Sequence, residues 1–443
     1  MKESAQPLAP TRPRFKPYPE YKDSGVEWLG EIPAHWEVKR LKDCLLRLES
    51  GGTPESDNFD YWTDDESGTP WVAISDMTRA FHVRETAKRL TEQGLRSKRL
   101  PILPSGTLLY SMYASLGKVA LLKIDAVVNQ AILGLVTRDD LASRDYLRWW
   151  LEFMQGHVQM LSSSNTQDNL NAYEVRKMPV FVPGPDAQSA IAAFLDRETA
   201  RIDALVAKKE RLIELLQQKR TALISRAVTK GLYPNVPMKD SGVEWLGKIP
   251  AHWGVLRISE LTALLNGYPF DAEYFVRAGG TPLVRIRDLN ATETEVNYNG
   301  PVVEDAWIES GDVIVGMDGD FNVARWRGQR ALLNQRMCCL RPRNKTDAGF
   351  IAYLLPLPLR VINDLTYSTT VKHLSSVDVR KIRLGAPPEP EQRAIVAFLD
   401  RETARIDALV AKVRDAIERF KELRTALISA AVTGKFDVRE EVA

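Results

Sequence analysis

The chain has 443 residues, enough for two or three domains with full cores, and its 44% hydrophobic and 27% charged content is ordinary for a soluble globular fold. A net charge of +2 is too small to argue for a polyanionic partner by itself, and no apolar run is long enough to span a membrane. Three cysteines (Cys44, Cys338, Cys339) give neither a disulfide framework nor a zinc spacing, which fits a reducing cytoplasm.

The first residues, MKESAQPLAPTRPRFKPYP, are basic and proline-rich without the apolar core of a secretion signal, so residues 1–20 read as a flexible arm. KDSGVEWLG follows at Lys22 and IPAHW at Ile32. This pattern of indole, tight glycine turn, proline and second indole describes a packed strap, with His35 in a structural role. From about residue 37 to 183 the sequence reads as mixed α and β. TPWVAISDM, GTLLYSMYAS, KVALLKI and VVNQAILGLV are strand-like, with glycine turns at Ser50 (SGGTPES) and Ser115 (SLGK). Asn129 and Gln130 fall inside the last apolar stretch, so a buried structural amide is weighed above a base reader. Arg96, Lys98, Arg99, Lys118 and Lys123, with Tyr110 and Tyr113 nearby, form a candidate basic surface.

Asp186 to Thr229 contains no glycine or proline; Pro185 precedes it and Gly231 follows. Those are start and stop signals for one long helix, with a short piece able to break off near Asp196 or Glu198. Ile191, Leu195, Ile202, Leu205, Leu212, Leu216 and Leu223 recur in steps near three and four, an apolar seam. Forty-odd helical residues reach roughly 65 Å.

The chain is then written again. FLDRETARIDALVAK at Phe194 returns unchanged at Phe398, KDSGVEWLG at Lys239 and IPAHW at Ile249, where His252 matches His35. The second helix seam holds Ile395, Leu399, Ile406, Leu409, Leu423 and Leu427, ending at Gly434. Between these identities the segment from about 254 to 386 diverges. TPLVRIRDL, GDVIVGMDG, RALLNQ and RMCCLRPR are strand-like, and NGYPF and DGDFN are turns. Phe321 to Thr346 holds seven basic residues and no acid, with Phe321 and Trp326 interleaved. Asn334–Gln335 repeats Asn129–Gln130, and V-x-I-x-D follows both Thr69–Pro70 and Thr281–Pro282. A large duplication predicts a pseudo-twofold α+β molecule: two globular mixed α/β domains separated by a pair of long antiparallel coiled-coil-like helices. Such a rod would serve as a ruler against the roughly 34 Å turn of B-DNA. Identical parts should meet the same partner, and divergent parts different ones.

No phosphate loop, HExxH or nucleophile elbow is present in the sequence, nor is an adenosylmethionine glycine loop after a strand. Asp318 and Asp320 are explained by a turn more simply than by a metal, and no metal site is assigned. The chain reads as a binder that directs chemistry performed elsewhere.

In KDSGVEWLGEIPAHW and its copy, PEQRAIVAFLDRETARID and its copy, TKGLYPNVPMKDSGVEWLG, SGGTPES…TPWVAISDM and DGDFNVARWRG…LLNQRM, the chain resembles the specificity subunit of type I restriction–modification systems. The resemblance implies target recognition domains at 21–185 and 233–388 and conserved helical regions at 186–232 and 389–443. It implies double-stranded DNA as ligand, an asymmetric bipartite target, and two methyltransferase subunits and restriction/translocase subunits as partners. S-adenosylmethionine, ATP and Mg would then belong to those partners, with no catalytic residue and no cofactor here. By position, DNA contact is carried over to Thr53, Ser56, Arg79, Tyr113, Ser115 and Lys118, and to Arg287, Asp318, Asp320, Asn322, Arg325, Trp326 and Arg327. Partner contact is assigned to Arg197, Glu198, Arg201 and Lys208, with Arg401, Glu402, Arg405 and Lys412. SGGTPES has no evident match at NGYPF, from which unlike half-sites are expected. A single-chain restriction or methylation enzyme with degenerate motifs, or a coiled-coil scaffold without DNA, are the competing readings.

Overall fold

In the computed structural model, which describes residues 15–113, 115–158, 170–365 and 374–439, the two predicted long helices are Pro185–Lys230 (46 residues) and Glu389–Val432 (44 residues). Each is stopped by a glycine at positive φ, Gly231 at 74° and Gly434 at 70°, a backbone state that other residues enter at a cost. No break occurs near Asp196 or Glu198. The helix runs through, with the Thr199 hydroxyl donating back to the Leu195 carbonyl (2.6 Å) and Thr403 repeating this on Leu399 (2.7 Å).

The chain forms two compact units, residues 1–208 with 416–443, and residues 209–415. Their limits fall inside both long helices. In the first unit, Ile191, Phe194 and Leu195 share a core with Ile428, Ala431 and Val432. In the second, Ala227 and Val228 share one with Ile395, Val396 and Leu399. The start of one helix therefore meets the end of the other in each unit, which makes the pair antiparallel. Spacing alone overstated the seam: Leu212, Leu409 and Leu423 are exposed, at 42%, 43% and 46%.

The first unit holds a five-stranded sheet in the order Leu45–Ser50, Ile132–Thr137, Leu108–Ser111, Val119–Leu122, His82–Val83. Beside it lies a four-stranded sheet, Val127–Val128, Thr69–Val72, Lys88–Leu90, Trp62–Thr63. The second unit repeats both. Thr262–Asn266, Met337–Pro342, Val313–Gly316 and Val323–Arg325 form one sheet. Phe275–Val276, Asn297–Tyr298, Thr281–Val284, Ala331–Leu333 and Trp307–Ile308 form the other. The apolar runs VVNQAILGLV and RALLNQRMCCL are thus not single strands. Asn129–Gln130 and Asn334–Gln335 interrupt them and pass the chain from one sheet to the next.

Both straps fold as expected. Tyr21–Asp23 pairs antiparallel with Glu31–Pro33, and Met238–Asp240 with Lys248–Pro250; Trp36 and Trp253 are fully buried behind them. Residues 15–20 do not form a flexible arm. Residues 1–14 lie outside the described residues, but Phe15 stacks on Phe436 (ring centroids 4.3 Å), and Tyr18 is 3% exposed. Among the described residues no helix is long and apolar enough to cross a membrane.

Candidate nucleic-acid interface

The Asn–Gln turn is the point to which the loops of each unit are tied. Asn129 holds it by accepting the Ala131 N–H on Oδ1 (3.0 Å), a local turn that asparagine makes readily. Three backbone bonds then bring in three loops. The Gly52 N–H donates to the Val128 carbonyl (2.9 Å), Asn129 N–H to Val72 (3.0 Å), and Met112 N–H to Ala131 (2.8 Å). These anchor the SGGTPES loop, the V-x-I-x-D turn and the Tyr113–Lys118 loop. In the second unit Tyr268 N–H donates to Leu333 (2.8 Å), Asn334 N–H to Val284 (3.1 Å) and Met317 N–H to Arg336 (3.0 Å), anchoring NGYPF, the second V-x-I-x-D turn and DGDFN.

Close approach requires glycine at an equivalent place in each unit. A Cβ on Gly51 would overlap the Val128 and Asn129 carbonyl oxygens, and one on Gly267 would overlap that of Asn334. SGGTPES and NGYPF are therefore the same turn, contrary to the sequence reading. Their letters differ because only the missing side chain of that glycine is demanded. Indole N–H groups steady the first loop, Trp71 donating to the Gly52 carbonyl and Trp62 to that of Glu55, each at 2.9 Å.

A buried aspartate braces each V-x-I-x-D turn. Asp76, 7% exposed, accepts the Ala73 N–H (2.9 Å) and reaches Ala87 N–H (3.4 Å). Asp288, 2% exposed, accepts the N–H of Arg285 (2.9 Å) and of Glu295 (3.3 Å). Glu295 then holds two guanidinium groups, Arg285 at 3.0 Å and exposed Arg287 at 3.3 Å.

The predicted DNA contacts divide. Ser56, Arg79, Tyr113, Arg287, Asp320, Asn322, Arg325 and Arg327 are exposed on these loops or on the elements that flank them, and Thr53, Ser115, Lys118 and Asp318 are half-buried beside them. Trp326 does not belong with them. It is 1% exposed in the core, and its N–H donates to the Gln329 carbonyl (2.7 Å). It lies one residue past the strand Val323–Arg325, where it faces inward while Arg325 and Arg327 face out. Phe321 and Tyr110 are buried too. The acid-free basic run is partly neutralised by acids outside it: Arg330 pairs with Glu309 (3.1 Å), Arg336 with Asp318 (2.9 Å), and Arg341 with buried Asp312 (2.7 Å). Arg325 and Arg327 make no ion pair among the described residues.

Sequence reasoning ranked both Asn–Gln pairs as buried structural amides ahead of base readers, but Gln130 and Gln335 are exposed on the shared turn beside half-buried Asn129 and Asn334. The Thr53 hydroxyl donates to Gln130 Oε1. The apolar flanks of the repeated pair had favoured burial.

The helices repeat to the atom level. Arg197 meets Glu198 at 3.2 Å and Arg401 meets Glu402 at 3.1 Å; each guanidinium lies over a phenylalanine, Phe194 at 5.7 Å and Phe398 at 5.5 Å. Arg424 pairs with Asp203 and Arg220 with Asp407, both at 3.2 Å. In each unit these residues wall a cleft against the globular part, about 620 Å³ in the first and about 800 Å³ in the second. Arg201, Lys208, Arg405 and Lys412 are exposed. Among the described residues no group of three or more His, Cys, Asp or Glu is placed to hold a metal.

Known proteins with this organisation agree. The model of the type I restriction modification DNA specificity domain matches residues 33–215 and again 250–419. The chain is 39% identical to the type I restriction enzyme EcoBI specificity subunit of Escherichia coli over 43% of this chain and only 41% of that protein. It is 23% identical to the MjaIX specificity subunit of Methanocaldococcus jannaschii, over 96% of this chain and 99% of that one. A chain solved in a study of the assembly of a type I R-M system superposes with a TM-score of 0.74 at 15% identity, covering 91% of this chain and 99% of its own. The HsdS subunit from Thermoanaerobacter tengcongensis gives 0.55, also at 15% identity, over 91% and 98%. Two copies of one domain model, on a repeated fold with a matching loop anchor in each copy, place this chain in the family of type I restriction–modification DNA specificity proteins.

Proposed function

We propose that the chain is the recognition subunit of a type I restriction–modification complex and reads an asymmetric, bipartite site on double-stranded DNA. One observation carries this reading: the loop anchor is the same in both units while the side chains displayed on it differ. Thr53 and Ser56 stand on the first glycine loop where Pro269 and Ala272 stand on the second, and Arg79 and Lys118 have no arginine or lysine opposite them. Unlike side chains on a like frame suit unlike half-sites. Exposed Arg287, Arg325 and Arg327 supply the phosphate and base-edge donors such a surface needs.

The duplicated helix surface serves a partner bound once per unit, a methyltransferase subunit. Arg197, Glu198, Arg201 and Lys208 and their copies, with exposed Leu212, Leu215 and Leu409, offer charge and apolar area for it. Methyl transfer, and DNA translocation and cleavage, reside in partner subunits that hold S-adenosylmethionine, ATP and Mg; this chain contributes no catalytic group and acts in the cytoplasm. The test is domain exchange. With residues 37–183 replaced by the corresponding segment of a relative, methylation mapping should show one half of the modified sequence changed and the other kept. A change in both halves, or in neither, refutes the modular reading.

A further inference from the structure

We infer that Gln130 and Gln335 are base-reading residues, each selecting an adenine in the half-site its unit binds; the inference rests on the DNA-reading role proposed above. The two side chains occupy the same place in the two units and are exposed in both, although the letters on either side belong to buried strands. A residue held there for packing would point inward, as the neighbouring valines, leucines and isoleucine do. The preceding asparagines already meet the structural need of the turn, so Gln130 and Gln335 are not required to shape it. Three loops with unlike side chains are tied by the backbone bonds described above to the residues flanking each glutamine. The glutamines are thus the shared element at the centre of a variable surface.

The chemistry of the amide selects the base. A primary amide offers one donor and one acceptor side by side, which matches the N7 acceptor and N6 donor of adenine in the major groove. In the first unit the side chain is also oriented. The Thr53 hydroxyl donates to Gln130 Oε1, tethering the amide and leaving that oxygen a second lone pair for adenine N6. Nε2 remains to donate to N7. In the second unit Pro269 stands where Thr53 would be, and a proline cannot give this bond. Thr53 is therefore a positioning residue, and adenine selection is stricter in the first half-site than in the second.

The experiment uses the full chain assembled with its methyltransferase subunits, with modified sites mapped base by base and affinities measured by competition among duplexes differing at one base pair. Gln130→Ala should relax a single position of the first half-site, lowering adenine preference roughly 5- to 150-fold and leaving every other position intact. Gln335→Ala should do the same in the second half-site only. Gln130→Glu should shift that position toward cytosine, whose N4 donor suits a carboxylate. Thr53→Val should weaken the same position as Gln130→Ala, and by less. Co-elution with the methyltransferase and an unchanged unfolding temperature establish that each variant is folded. An unchanged recognition sequence in the glutamine variants overturns the inference. So does uniform weakening across a half-site, or relaxation at a position whose preferred base is not adenine. A wild-type complex that modifies no bipartite sequence defeats instead the DNA-reading role itself.

Discussion

Replacing Trp326 separates a core indole from a DNA-stacking one. At 1% exposure it packs in a core with Val284, Leu289, Ile308, Ile314 and Leu333, and donates to the Gln329 carbonyl at 2.7 Å. A buried tryptophan removes on the order of 200 Å² from water. At about 25 cal/mol per Å² that is about 5 kcal/mol, an upper figure because the unfolded chain is already partly collapsed. Trp326→Ala should therefore destabilise the second unit by about 3–5 kcal/mol. For a unit of this size each kilocalorie lowers the melting temperature about 2–4 °C, so scanning calorimetry should show a fall of roughly 6–20 °C. Trp326→Phe keeps most of the area, loses the hydrogen bond, and should cost about 1–2 kcal/mol with the DNA target unchanged. An alanine variant that melts within about 2 °C of wild type yet loses DNA affinity would refute the core assignment.

Gly51→Ala drives a methyl group into the Val128 and Asn129 carbonyls, so it should cost about 1–3 kcal/mol and blur the first half-site alone; Gly267→Ala should blur only the second, both read by methylation mapping. Burial pushes the Cys44 thiol up to about 11 and the Cys338 thiol up to about 12, so both stay protonated at pH 8, with about one part in a thousand or less as thiolate. Iodoacetamide should leave both unmodified in the native chain and label them only on unfolding, as mass spectrometry of tryptic peptides would show.

The long helices were legible because the cues that set them are local: a glycine- and proline-free stretch, a leading proline and a closing glycine. The straps were legible for the same reason, and their repetition marked the duplication. What failed depended on contacts distant in sequence. Periodicity put Leu212 and Leu409 in the seam, but whether a leucine is covered depends on what faces it, and both are open. The charges of Phe321 to Thr346 looked unopposed because Glu309, Asp312 and Asp318 precede the window. Apolar flanks hid the sheet-to-sheet crossing at Asn129 and Asn334, and with it the exposure of both glutamines. The likeness of SGGTPES to NGYPF was invisible because a backbone clash constrains one position and leaves the rest of each loop free.

That last asymmetry bears on how such a protein acquires new targets. The bonds joining the recognition loops to their anchor run mainly between main-chain atoms: Gly52 to Val128, Met112 to Ala131, and Tyr268 to Leu333. Peptide groups are common to all residues, so most side chains displayed above them can be exchanged without loosening the frame. Mutation can therefore explore new DNA sequences at little risk to folding, and a lineage can change what it recognises while keeping the machine that recognition serves.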